Sequence, residues 1–166
     1  RKKMKLEAVF TVKNNKLYFI ADDREADVKN LKKIAVSWKE VELDDEVYNE
    51  EFLAKLRDQL KALEEKNEYA FLLPSVDKAF EKPEQKEAFI NAMNHTARRV
   101  KDCRSLAGFQ LPAEILNKGL KDGSDAADFI EVLAKKHEHY VYFAAESDVN
   151  AFNLAEEAAK SDIVLY

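Results

Sequence analysis

Two histidines with alternating spacing are the first residues whose arrangement could do chemistry. His137-Glu138-His139 would place both imidazoles on one side of an extended segment, as a pair of metal ligands requires. A third ligand cannot be identified, and the preceding Lys135-Lys136 is typical of an exposed approach to a strand. The sequence therefore predicts no metal site, and the segment is interpreted as surface chain.

Cysteine and glycine usage gives no support to nucleophilic catalysis or nucleotide binding. Cys103 is the only cysteine and has no adjacent histidine that could activate it, so we interpret it as a structural thiol. The chain has three glycines, and neither of the glycine-rich phosphate-binding patterns occurs. No cofactor is predicted.

Trp38 is a candidate for sugar binding because it ends a short apolar run, 34–38. Aromatic faces stack on sugar rings, and the carboxyl ends of strands line the active face of α/β folds. The alternative is that Trp38 is a core or rim aromatic. Tyr166 and Tyr48 carry the same pair of interpretations with weaker support.

Strands and helices must position these residues. The sequence predicts a single domain, 1–166, that consists of a hairpin and a longer segment of alternating strands and helices. An N-terminal β-hairpin is predicted over 1–21, because apolar residues alternate up to Val12 and Asn14-Asn15 supplies a turn. From 33 to 166, short apolar runs alternate with helices in which apolar residues recur every three or four positions. The predicted strands cover 34–38, 69–73, 106–111, 140–144 and 162–166.

Local signals place the ends of several of these elements. Pro74 is expected to close the second strand of the series, and Pro83 fits the first turn of the following helix. Ser124 and Asp148 stand where helix N-caps belong, the latter ahead of one helix running through Ala158. This alternation predicts an α/β fold with a parallel sheet and right-handed crossovers. Two architectures use it, a (β/α) barrel and an open doubly wound sheet, and periodicity does not choose between them.

The stretch from Phe89 to Ile115 resembles the third-helix to fourth-strand segment of the cellulase-like glycoside hydrolases, family 5 and its clan relatives. Gly108-Phe109-Gln110-Leu111 match the family's strand, and Glu114 falls on its general acid/base. The alternative is that Glu114 is a solvated loop acid or a residue of a helix first turn. The run 33–38 is similar to the family's second strand, with Lys33 where an arginine is usual. The N-terminal hairpin looks like the one that plugs the bottom of those barrels, and 162–166 resembles their sixth strand. The resemblance implies a partial (β/α) barrel and a substrate-binding set of Trp38, Gln110 and Lys33.

Departures from the family pattern bear on activity. Ala113 and Ile115 replace the asparagine and proline that flank the acid/base, and 74–77 offers only Asp77 where an aspartate and a histidine are expected. The family's nucleophile is a glutamate on a seventh strand, whereas this chain is expected to stop at a sixth. An eight-fold barrel needs about 250 residues, against 166 here.

We therefore expect a truncated or degenerate member that binds carbohydrate without hydrolysing it. Unpaired strand edges would favour a homodimer. The alternative is a non-catalytic open-sheet protein that binds a partner or dimerises.

Composition excludes two classes of partner. The 27 basic residues are outnumbered by 32 acidic ones and are scattered, which argues against binding of a nucleic acid backbone. No apolar run approaches the 18 or more residues of a membrane-spanning helix, so we expect a soluble chain of unassigned compartment.

Overall fold

The computed structural model describes residues 6–166, so the part of the predicted hairpin that covers 1–5 lies outside the described residues. In chain order the elements are β1 (Phe10–Lys13), β2 (Lys16–Phe19), β3 (Lys32–Ser37), α1 (Trp38–Val41), β4 (Glu42–Asp44), β5 (Val47–Tyr48), α2 (Glu50–Glu65), β6 (Ala70–Ser75), α3 (Pro83–Arg99), β7 (Leu106–Gln110), α4 (Ala113–Leu116), α5 (Asp125–Ala134), β8 (Val141–Ala144), α6 (Glu146–Ala151), α7 (Ala155–Ala159) and β9 (Ile163–Leu165). No helix within 6–166 is long and apolar enough to cross a membrane.

The main sheet has five parallel strands in the order β3-β6-β7-β8-β9, which confirms the predicted α/β class. The spatial order equals the chain order. A doubly wound sheet instead reverses its order at a switch point. The sheet is therefore singly wound, as the strands of a (β/α) barrel are.

The two faces of the sheet are covered by different elements. All the longer helices pack on one face, where α2, α3 and α5 contribute Leu60, Phe89 and Phe129 to one apolar cluster with the strand residues of that face. The other face packs against the hairpin of β1 and β2, through Phe10 and Leu17. Helices outside and a plug inside are the arrangement of a barrel, so we call these the convex and concave faces.

The sheet curves strongly. Lys33 on β3 and Tyr166 just beyond β9 belong to opposite edges of the sheet, about 19 Å apart if four strand spacings lay flat. The Nζ atom of Lys33 nevertheless lies 4.7 Å from the centroid of the Tyr166 ring. A flat sheet could not bring these groups together, so the five strands form a partial barrel that does not close.

Gly108, on β7, has no room for a side chain. A Cβ atom built there would lie 1.6 Å from the carbonyl oxygen of Val141 on β8. Because β7 carries no side chain here, Phe71 and Phe143 from the strands on either side stack with their centroids 4.1 Å apart. The close approach of β7 and β8 thus depends on glycine.

Asn15 closes the outer edge of β9. It occupies the hairpin turn with a φ of 63°, and its carbonyl oxygen accepts the Leu165 backbone N–H at 3.0 Å. Its side-chain amide donates to the carbonyl oxygens of Ala158, Ser161 and Ile163 at 2.8–3.2 Å. One of the two edges expected to be open is therefore occupied. The other edge strand, β3, pairs only with β6 among the described strands.

Four details differ from the sequence prediction. Pro74 lies inside β6, opposite Val36, instead of closing the strand. The Ala70 N–H donates to the side of β6 that faces β7, and in a strand the N–H of residue 74 would face the same side. The pairing of β6 with β7 ends at Leu72, before Pro74, so the absence of an N–H at Pro74 costs the sheet no hydrogen bond.

The predicted last helix is interrupted, because Asn153 adopts a φ of 57° between α6 and α7. Ala145 is the N-cap of α6, and Asp148 lies in its first turn. The antiparallel β4–β5 pair was not predicted at all.

Candidate functional site

A polar cluster lies on the concave face of the sheet, with Gln110 and Tyr166 at the carboxyl ends of β7 and β9 and Lys33 near the amino end of β3. Gln110 is the last residue of β7, and its Oε1 atom accepts a hydrogen bond from the Tyr166 hydroxyl. Lys33 covers the face of the same tyrosine ring. The structure therefore brings together two of the predicted site residues, Lys33 and Gln110, and joins them through Tyr166.

The surroundings of Tyr166 favour its protonated form. Its ring meets Phe71 edge-on at 5.5 Å between centroids, so the hydroxyl stands above an apolar floor. Burial raises the pKa of Tyr166 above its ordinary value, and the negative charge of Asp148 raises it further. The hydroxyl is thus a neutral hydrogen-bond donor and acceptor throughout the neutral pH range.

Glu114 occupies the first turn of α4, directly after β7. Leu111 is tied to β8 by its N–H bond to the Phe143 carbonyl oxygen at 2.8 Å, and Ile115 is fully buried beneath the helix. These contacts hold α4 at the carboxyl end of β7. The Glu114 side chain is exposed, and it makes no hydrogen bond or ion pair within residues 6–166.

Trp38 lies apart from this cluster. It is 3% exposed and packs in the convex-face core against Phe89, with ring centroids 5.4 Å apart. Its indole N–H donates to the buried Glu42 carboxylate at 2.8 Å, and Lys78 lies 5.1 Å from its ring centroid. Protein therefore covers the indole, and its position is that of a core aromatic, the alternative stated from the sequence.

Asp77, the acid that follows β6, is engaged in a helix cap. It accepts hydrogen bonds from the Ser37 hydroxyl and from the Lys39 backbone N–H at 2.9 Å. Tyr48 is likewise committed elsewhere, since its ring stacks on His95 at 4.0 Å. Neither residue joins the concave cluster.

The two histidines considered as metal ligands, His137 and His139, differ in how deeply they are buried. His137 is 4% exposed, so the interpretation of this segment as surface chain is wrong at His137. Desolvation, with help from nearby cations, lowers its pKa to about 4. His139 is half-buried, and burial lowers its pKa too. Across residues 6–166 no group of three or more His, Cys, Asp and Glu side chains is arranged to hold a metal ion.

Tyr166 is the functional candidate to which the sequence assigned least weight. Its position at the end of the predicted strand 162–166 was visible, but its contact with Lys33 depends on the curvature of the whole sheet. The sequence predicts Asp148 only as a helix N-cap. No local pattern could have linked either residue to Gln110.

Comparisons with known proteins agree with this fold. The sequence matches no protein-family model and no curated protein. Among solved structures, endo-glycoceramidase II from Rhodococcus sp. in a cellobiose-like imidazole complex matches with a TM-score of 0.56 and 14% identity, over 70% of this chain and 40% of that one. A GH5_18 protein from Bifidobacterium longum subsp. infantis matches with a TM-score of 0.50 and 14% identity, over 68% of this chain and 33% of that one.

This chain therefore spans less than half the length of the structures it matches. At such low identities the likeness concerns the fold alone. At that level, the resemblance to the cellulase-like glycoside hydrolases of family 5 is confirmed.

Proposed function

We propose that this chain is a carbohydrate-binding domain built on a glycoside-hydrolase-like fold. The observation that supports the proposal is the cluster of Lys33, Gln110 and Tyr166 on the concave face, with Glu114 following the same strand end as Gln110. The cluster offers an ammonium group, an amide and a hydroxyl above apolar rings. Such a small set of polar groups in an apolar surround is typical of sites that orient a small ligand.

The matched structures guide the choice of sugar. They include complexes with ganglioside GM3 and with Manb1-4GlcNAc, and one with a cellobiose-like imidazole. Each of these ligands was bound by the matched protein and not by this chain. For this chain we extend them only to a class of probe, β-linked disaccharides such as cellobiose and lactose.

Binding is tested by calorimetric titration of both disaccharides into the 166-residue chain. We expect Tyr166→Phe and Gln110→Ala each to weaken binding by about three- to tenfold, the worth of about one hydrogen bond. Tyr48→Phe is the matched control, because that ring stacks on His95 and should leave binding unchanged. Affinity that is unaffected by both cluster variants would overturn the assignment of the site.

We further propose that the chain binds sugar without hydrolysing it. A retaining glycosidase needs a second carboxylate about 5–5.5 Å from its acid/base. Asp77 is held in a cap, and Ala113 stands where the family's asparagine would be. We therefore expect no release of nitrophenol from 4-nitrophenyl β-cellobioside. Turnover that Glu114→Gln abolishes would contradict this part of the proposal while leaving binding intact.

A further inference from the structure

A cavity lies apart from the concave cluster, with none of Lys33, Gln110 or Tyr166 in its lining. It encloses about 480 Å³ near the starts of β8 and β9, between β1 of the hairpin and α5. Phe10, Val12, Ile130 and Ala134 supply much of its apolar lining. Its size is within the range of small-molecule sites, about 300–1,000 Å³. No part of the carbohydrate proposal uses it.

Three residues that line this cavity carry a buried polar atom that lacks a hydrogen-bond partner among the described residues. These atoms are the Tyr140 and Tyr142 hydroxyl oxygens and the Nε2 atom of His139. Both tyrosines are only 6% exposed. Native proteins keep few such atoms, and each one calls for an explanation such as a role in binding. Three of these atoms belong to residues that line one cavity, whereas elsewhere in the part of the chain that the structure describes the same condition occurs only at Glu64 and Asn94.

The charge state of the cavity restricts what it would bind. Burial raises the pKa of both tyrosines and lowers that of His139, so all three groups are uncharged at neutral pH. The tyrosine hydroxyls are then hydrogen-bond donors. Glu138 and Asp162 also line the cavity and are exposed, so they disfavour an anion at its mouth. The apolar lining disfavours a strongly hydrated molecule.

We propose that this cavity binds a small uncharged ring compound whose carbonyl oxygen accepts a hydrogen bond from the Tyr140 or Tyr142 hydroxyl. The rings of such a compound would pack against Phe10 and Ile130. His139, as a neutral imidazole, can either donate to or accept from a second polar group. The ligand class is therefore distinct from the hydrated sugars proposed for the concave face.

Coumarin is a suitable probe, because it is planar, uncharged and carries one carbonyl group. Binding is followed by NMR titration of the 166-residue chain, with the amides of β8 and α5 as reporters. Naphthalene has the same ring size without the acceptor, and coumarin-3-carboxylate adds a negative charge. We expect coumarin to bind more tightly than either compound.

Tyr142→Phe separates a binding role from a structural one. The variant removes an unpartnered hydroxyl, so we expect an unchanged or higher Tm in the absence of probe. Coumarin affinity should fall by about three- to tenfold while naphthalene affinity stays constant. Tyr18→Phe, on the hairpin, is the matched control and should alter neither affinity.

Ala134→Trp provides a second test, since a large side chain at this lining position would fill the cavity. We expect it to abolish binding of both uncharged probes. The proposal is overturned if coumarin does not bind, or if it binds equally to the wild type and to both cavity variants. Sugar binding at the concave cluster should persist in each cavity variant, so the two proposals can fail independently.

Discussion

Gly108 is a residue of β7 at which the backbone of β8 leaves no space for a side chain. An added methyl group would meet the Val141 carbonyl oxygen, which belongs to the backbone and cannot rotate away. We therefore predict that Gly108→Ala lowers the free energy of unfolding by about 3 kcal/mol or more, since one strand must shift. Urea denaturation measures the change.

Gly123→Ala is the control for that substitution. Gly123 has a φ of 86° and no neighbouring atom within 4 Å of the added carbon, so only backbone strain opposes the change. We expect a loss of about 1–2 kcal/mol. Equal losses at both positions would show that the contact between β7 and β8 is not the limiting factor.

His137 makes stability depend on pH. Its pKa is about 4 in the folded chain, against 6.5 ordinarily, because burial disfavours the imidazolium and so do the nearby His139, Lys101, Arg98 and Lys136 when they carry positive charge. Between these values the unfolded chain binds a proton that the folded chain does not. Stability contributed by neutral His137 is therefore complete above pH 6.5 and declines as the pH falls toward 4.

The measurement is Tm as a function of pH for the wild type and His137→Phe. We expect the Tm of the wild type to fall more steeply between about pH 6.5 and pH 4, because phenylalanine binds no proton. The carboxylate of Glu50, whose pKa Arg99 lowers, remains in both proteins and serves as a common background. Parallel curves would contradict the assignment to His137.

Among the elements, the hairpin does more than cover the concave face. Its turn residue Asn15 presents a carbonyl oxygen and an amide to β9, and so takes the place of a residue on a neighbouring strand. We predict that Asn15→Asp destabilises the chain by about 2–3 kcal/mol, because the carboxylate cannot donate and would face three carbonyl oxygens.

Asn14→Asp is the matched control, since Asn14 shares the left-handed turn conformation at a φ of 51° but is exposed. We expect it to change stability by less than about 0.5 kcal/mol, as is usual for an exposed position. Hydrogen exchange should quicken at the β9 amides in Asn15→Asp alone. Similar exchange in both variants would show that the turn does not protect the edge.

The sequence predicted elements well where one face of each is apolar. The five strands, the turn at Asn14-Asn15 and the Ser124 cap are all confirmed, because each depends on local periodicity or on one side chain. The break at Asn153 was missed, since Val149, Phe152 and Ala155 recur every three positions, as they would in one continuous helix. Of the site, Gln110 could be placed at a strand end, but its contact with Tyr166 required knowledge of the sheet's curvature.

At the scale of the whole molecule, the two edges of the sheet are unequal. The edge of β9 is occupied by Asn15, whereas β3 has no strand on its outer side within the described chain. An expected homodimer would therefore use β3. We predict that light scattering detects a dimer, and that Ala35→Pro, which removes an outward N–H from this edge, converts it to a monomer.

Ala21→Pro, in the exposed segment after β2, is a control that should leave the dimer intact. A wild-type chain that stays monomeric at all concentrations would contradict the prediction. Dissociation by both variants would instead indicate general destabilisation.

The bonds from Asn15 to β9 also have a consequence for folding kinetics. They join residues 143–148 positions apart, although the hairpin that carries Asn15 is local. Hairpins form in about 1–10 μs, whereas contacts this distant must await closure of a very long loop. The turn should therefore dock after the rate-limiting step, so that Asn15→Asp accelerates unfolding and leaves the folding rate nearly unchanged.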